Sequence, residues 1–154
     1  MKTILKITAL SATLLMFVGS FVSCKKKESN EIPFTEYSLG GTDCQWVLLQ
    51  NVLRIINSNE ELEKFVRCWE NDSYPTIDFS KQTLLQVGGN TGAHRVMSIK
   101  KKLQKTSAQS YILNVILDLR VVPTGMHSWS VAIITDKIAY DANIGLTITK
   151  NIQP

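Results

Sequence analysis

Tyr111, Leu113, Val115, Leu117, Leu119 and Val121 occupy every second position of one stretch, with Asn114, Asp118 and Arg120 among the alternates. Successive side chains of a strand point to opposite faces, whereas a helix would scatter these six groups around its axis. The stretch therefore predicts a strand with one face in a core and the other in water. Trp129, Val131 and Ile133 repeat the period against Ser128 and Ser130 after a Pro123-Thr124-Gly125 turn, and Leu146, Ile148 and Ile152 predict a last strand after Asp141-Ala142-Asn143. A chain so patterned must build a sheet, and the remaining segments are read for what they add to it.

Upstream, Trp46, Val47, Leu48, Leu49, Val52, Leu53, Ile55 and Ile56 are apolar on both parities, which predicts a central strand over 45–57 buried on both faces for part of its length. Ser58-Asn59-Glu60-Glu61 has the form of a capping box, and Leu62, Phe65, Val66 and Trp69 follow at i, i+3, i+4 and i+7. This predicts an amphipathic helix from Asn59 to Trp69 lying on the sheet. Asn-Asp-Ser and Tyr-Pro between Asn71 and Ser80 end it. Thr83 to Val87 then reads as a short strand, Gly88-Gly89-Asn90-Thr91-Gly92 as a turn, and Arg95 to Lys105 as a long strand at the sheet's edge. A Gly-rich loop can cradle phosphate, but neither a helix start nor Gly-Lys-Ser/Thr follows. The fold class is α+β: an antiparallel sheet of about six strands, a sandwich or half-open barrel, with one amphipathic helix packed on it.

The N-terminus is of another kind. Lys2 and Lys6 precede a run from Ile7 to Val22 that is apolar apart from small Thr, Ser and Gly residues, and Phe21-Val22-Ser23-Cys24 closes it. This resembles the lipobox of bacterial lipoproteins, which implies cleavage before Cys24 and acylation of its thiol and amine. At 16 residues the run is short of the roughly 20 needed to span a bilayer. The expected organisation is a signal peptide over 1–23, a lipidated Cys24 with a flexible tether over 24–41, and a single domain over 42–154. The tether reading rests on Lys, Glu, Ser, Asn, Pro and a Gly-Gly pair with few apolar residues. The expected location is the cell envelope, anchored by lipid to a bacterial membrane, the outer one in first place.

The formal charge of +4 is misleading about the body. Without Lys2, Lys6, Lys25, Lys26 and Lys27 there remain 12 basic against 13 acidic residues, which argues against a nucleic-acid partner. The one cluster, Lys100, Lys101, Lys102 and Lys105, reads as the solvated end of a strand. Together with Arg95, Lys100, Lys101 and Lys102 form the candidate surface for an acidic protein partner. Cys44 and Cys68 are the cysteines left once Cys24 is lipidated, and export would place them where a bridge can form. Two readings stand, a Cys44–Cys68 disulfide or one exposed and one buried thiol, because a straight strand after Cys44 followed by a helix to Cys68 would carry the two apart.

Tyr74-Pro75-Thr76-Ile77-Asp78-Phe79-Ser80 with a following strand, the Thr91-Gly92 turn into a long strand, and the alternation from Tyr111 to Thr135 together resemble the C-terminal domain of PrcB-type protease-complex subunits. The resemblance implies an envelope protein that assists a partner protease, and it implies no catalytic residue. Gly92 is followed by Ala93 and His94, where that family more usually has Gly-Tyr.

No residues with the spacing of a catalytic centre stand out. His94 and His127 are the only histidines, and there is no His-x-x-x-His, Cys-x-x-Cys or Gly-x-Ser-x-Gly. Asp72, Asp78, Asp118, Asp136 and Asp141 are scattered. Neither metal nor cofactor is called for. The expectation is a lipid-anchored, non-catalytic binding or accessory protein of the envelope; the alternative is a small envelope hydrolase acting on glycan or peptide, which would need convergent polar groups in a pocket.

Overall fold

The structure, a computed structural model, describes residues 30–69 and 72–154. Among these, nine strands and one short helix form three layers. The middle layer has β1 (Thr35–Glu36), β8 (Ser128–Asp136), β5 (Gln82–Asn90) and β3 (Arg54–Ile56) side by side in that order, all antiparallel. The second layer is β6 (His94–Ser107), β7 (Ser110–Val121) and β9 (Asn143–Gln153), with β6 antiparallel to β7 and β9 parallel to it. On the other side of the middle sheet lie a ribbon of β2 (Cys44–Trp46) with β4 (Val66–Cys68) and the helix α1 (Asn59–Glu63). The fold is mostly β, an open sandwich.

The two cores follow from the alternation. Leu113, Val115, Leu117 and Leu119 of β7 turn inward with Leu103 and meet Leu85, Val87, Trp129, Val131 and Ile133 of the middle sheet. Each such side chain is worth about 1.5–3 kcal/mol of transfer free energy before entropy. The second core holds Tyr37, Leu39, Ile56, Leu62, Val66, Ile77, Leu84 and Ala132 on the sheet's other face. β5 is therefore buried on both sides, from Thr83 to Gly89.

The true central strand is β5, not the 45–57 segment, which breaks into β2 and β3 around a turn with Asn51 at φ 56°. Gly88 and Gly89 are strand, not turn, paired with Ser130 and Trp129. A Cβ on Gly88 would sit 2.7 Å from both Leu48 Cδ2 and the Trp129 carbonyl oxygen. Its absence lets the 48–51 segment approach, so that Asn51 N–H donates to Gly88 O at 2.8 Å. The turn lies beyond, with Gly92 at φ +62°.

The packed amphipathic helix from Asn59 to Trp69 is also corrected. The cap forms: Ser58 Oγ accepts from Glu61 N–H at 3.2 Å, and the Glu61 carboxylate accepts from Asn57 N–H at 2.6 Å. After five residues the chain straightens into β4, because Val66 to Cys68 pairs with β2 and places Cys68 opposite Cys44. Leu62 and Val66 are buried, Phe65 is half-buried and Trp69 is 61% exposed. The run Phe65-Val66-Arg67-Cys68-Trp69 is rich in strand formers, and its period of two prevails over the helical stripe.

Residues 30–39, inside the range 24–41 expected as a tether, belong to the fold. Lys105 N–H donates to Asn30 O and Ile32 N–H to Leu103 O, along the outer edge of β6. β1 pairs with β8, and Tyr37 and Leu39 enter the second core. Apolar residues at Ile32, Phe34, Tyr37 and Leu39 suffice to anchor a segment whose overall composition is polar. Cys24, the signal segment and Lys25 to Lys27 lie outside the described residues.

Candidate functional site

β6 and β7 carry the lysine row. Because successive side chains alternate, Lys100 and Lys102 face out of the sandwich while Lys101 turns toward β1. There it pairs with Glu36, its side chain only 15% exposed, and fastens the two sheets at their shared edge. Lys102 reaches Glu31 at 3.2 Å and Lys100 reaches Asp118 at 3.2 Å. Arg95 stands at the far end of β6, opposite Arg120. The four candidate cations thus do not form one free patch; three are engaged within the chain. Such exposed pairs are individually worth ~0–1 kcal/mol.

The outer face of β6-β7-β9 is polar and cross-linked. Asp118 on the middle strand accepts from Ser98 Oγ at 2.6 Å on one neighbour and from Asn151 Nδ2 at 2.9 Å on the other. These bonds, Ser98 first, then Asn151, then Lys100, hold its carboxyl down at about 2. What this carboxylate contributes to stability is present above the ordinary carboxylate range and lost as pH falls toward 2. Beside this row Lys100, Lys102, Asn114, Ile116, Thr149 and Glu31 enclose a shallow groove of about 460 Å³. Ile116 is its apolar floor between donors and acceptors.

A second hollow, about 420 Å³, opens beside β1 and β8 between Tyr37, Leu39, Cys44, Trp46, Lys101 and Ser130. A smaller one of about 290 Å³ shares Leu39, Cys44, Trp46 and Ser130 with it and continues to Ser128. Tyr37 meets Trp46 edge-on at 6.0 Å, and its hydroxyl donates to Pro75 O at 2.8 Å. Burial, then the neighbouring Tyr74, pushes this phenol up to about 12.

Cys44 and Cys68 are joined in a disulfide across the β2–β4 ribbon. Trp69 N–H donates to Asp43 O, one step outside the pair, and Val47 N–H to Phe65 O at the ribbon's other end. The early straightening of the chain after Glu63 is what brings the two cysteines opposite each other.

The histidines serve the 91–94 turn. His94 Nδ1–H donates to Thr91 O at 2.9 Å, and the Thr91 hydroxyl lies 2.5 Å from His94 O and 3.0 Å from His127 O. Among the described residues no three of His, Cys, Asp and Glu gather as a metal site. Asp78 is occupied locally by Ser80 and Lys81.

Sequence reasoning missed Ile116, Thr149 and Asn151 as surface residues. Asn114 and Asp118 were legible as water-facing, but only the β7–β9 register, Ile116 against Thr149 and Asp118 against Asn151, assembles the face. Comparison with known protein families, with curated proteins and with solved structures gives no match.

Proposed function

We propose that this chain is a lipid-anchored, non-catalytic accessory protein of the bacterial cell envelope that holds another envelope protein, a partner protease in first place, on the outer face of β6-β7-β9. The observation that carries this reading is the groove over Ile116: an apolar floor rimmed by Lys100, Lys102, Asn114 and Thr149, mixed in polarity and open. An exposed face of this type suits a protein surface, where apolar contact supplies affinity and rim charges supply orientation.

The tether sets the geometry of that encounter. Five residues separate Cys24 from Asn30, and fully extended they span at most roughly 18 Å. Acylation of Cys24 would therefore keep the β6 edge, to which 30–32 is bonded, near the headgroups. β9, two strands away, would face outward.

A photo-crosslinking residue at Ile116 of the full chain, expressed in intact cells, tests the reading. It should give one reproducible adduct with an envelope protein, and the same probe at Tyr140, 94% exposed on a distant turn, should not. No adduct at Ile116, together with hydrolysis of an envelope glycan or peptide by the purified chain, would replace this reading with the hydrolase.

A further inference from the structure

The two outer edges of the β6-β7-β9 sheet are treated differently. β6 carries Lys100, Lys101, Lys102 and Lys105, breaks register twice, at Val96/Ser98 and Lys105/Ser107, and is covered by Asn30 and Ile32. These are the devices that keep an edge from pairing with another chain. β9 has few of them. Its 11 residues run without a register shift along β7, contain no proline and a single charge, Lys150, and among the described residues no strand covers its outer edge. Ile152 lies there 57% exposed. Ile55 of β3, the edge of the middle sheet away from the Lys101–Glu36 pair, is 40% exposed.

We propose that β9 pairs antiparallel with β9 of a second copy of this chain, the twofold axis passing through Ile148, to make one continuous six-stranded sheet. The sequence of β9 is self-complementary in this register. Ile144 falls opposite Ile152 of the second copy, Leu146 opposite Lys150, and Ile148 opposite Ile148, so core-facing residues meet core-facing residues. Asn143 meets Gln153, and Thr147 meets Thr149, on the outer face. Centring on Ile148 uses all 11 residues and covers Ile152 with an isoleucine. Centring one residue earlier or later pairs only nine of them and sets Ile152 against Ala142 or Leu146. The two Lys150 side chains stand four residues apart along the strands, roughly 14 Å, beyond the Debye length at physiological salt. An isologous interface of this kind closes on itself and ends the edge problem. The pairing stands independently of the partner proposed for the outer face.

Native mass spectrometry of the full chain, released from detergent, tests it with two exposed positions that the fold does not use. The wild type should appear at twice the chain mass. Thr147→Lys with Thr149→Lys places lysine opposite lysine at both symmetry-related pairs, and should weaken the dimer about tenfold or more and shift the population to single chains. Thr147→Lys with Thr149→Glu places lysine opposite glutamate and should remain dimeric, with the far-UV circular dichroism of all three proteins alike. A wild type at one chain mass overturns the proposal. So does a Lys/Lys variant as dimeric as the wild type, or a Lys/Glu variant that falls apart with it.

Discussion

Arg54 is an arginine in a core. It is 6% exposed, its Nη1 donates to Gln86 Oε1 at 3.0 Å, and its guanidinium lies 4.2 Å over the ring of Phe65. Among the described residues no carboxylate meets it, Nε and the Gln86 amide nitrogen lack partners, and burial lowers its pKa from the ordinary value. Removing one member strands the other, which costs ~1–3 kcal/mol, whereas removing both leaves only packing to replace. Urea unfolding should therefore show Arg54→Met with Gln86→Leu less destabilised than the sum of the single variants by about 1 kcal/mol or more; additive costs would mean the pair does not act as a unit. Tyr37 offers a pH signature. Its folded-state pKa of about 12 lies above the ordinary 10.0, so its contribution is complete below pH 10 and is lost as pH rises through 12. Unfolding free energy measured from pH 9 to 12 should fall more steeply in the wild type than in Tyr37→Phe, and parallel curves would contradict the burial.

At the scale of elements, period two was the legible signal. β7 was plain in the sequence because one face is core and the other is water, so Leu113 to Leu119 alternate cleanly, and β8 was plain at its start, where Ser128 and Ser130 are exposed around a buried Trp129. β5 was half-legible: buried on both faces, it has no alternation to display, and its Gly88-Gly89 pair imitates a turn. Leu62 and Val66 misled in another way, since both are buried whether 59–69 is one helix or a helical turn followed by a strand. Only the pairing of Cys68 with Cys44 decides, and that is a contact 24 residues distant. The strand reading of Gly88 has a direct consequence. Gly88→Ala drives a methyl group against a backbone carbonyl that cannot yield, and should lower the unfolding free energy by ~1–3 kcal/mol. Gly145→Ala on β9, where the nearest atoms of β7 would be 3.7 Å away, should change it little. Equal effects in chemical denaturation would contradict the close approach of Gly88 to the Trp129 carbonyl of β8.

For the whole molecule, the sequence carried the sheet-rich class and the candidate anchor, and lost the boundary between tether and domain. Composition marks 30–39 as polar, yet four apolar residues there are enough to bind it to two sheets, and Glu31 and Glu36 convert the lysines of β6 from a free patch into fastenings. The candidate surface was accordingly placed one strand off: the side chains left available are those of β7 and β9, which only register brings together. On the proposed reading, Cys24 would hold the β-sandwich within about five residues of a membrane, with the defended edge toward the lipid and the open one away. Labelling cells with a clickable palmitate analogue tests this most directly. The wild type should take up label and sediment with membranes, and Cys24→Ala should do neither; an unlabelled wild type, or a Cys24→Ala variant equally membrane-bound, would contradict it.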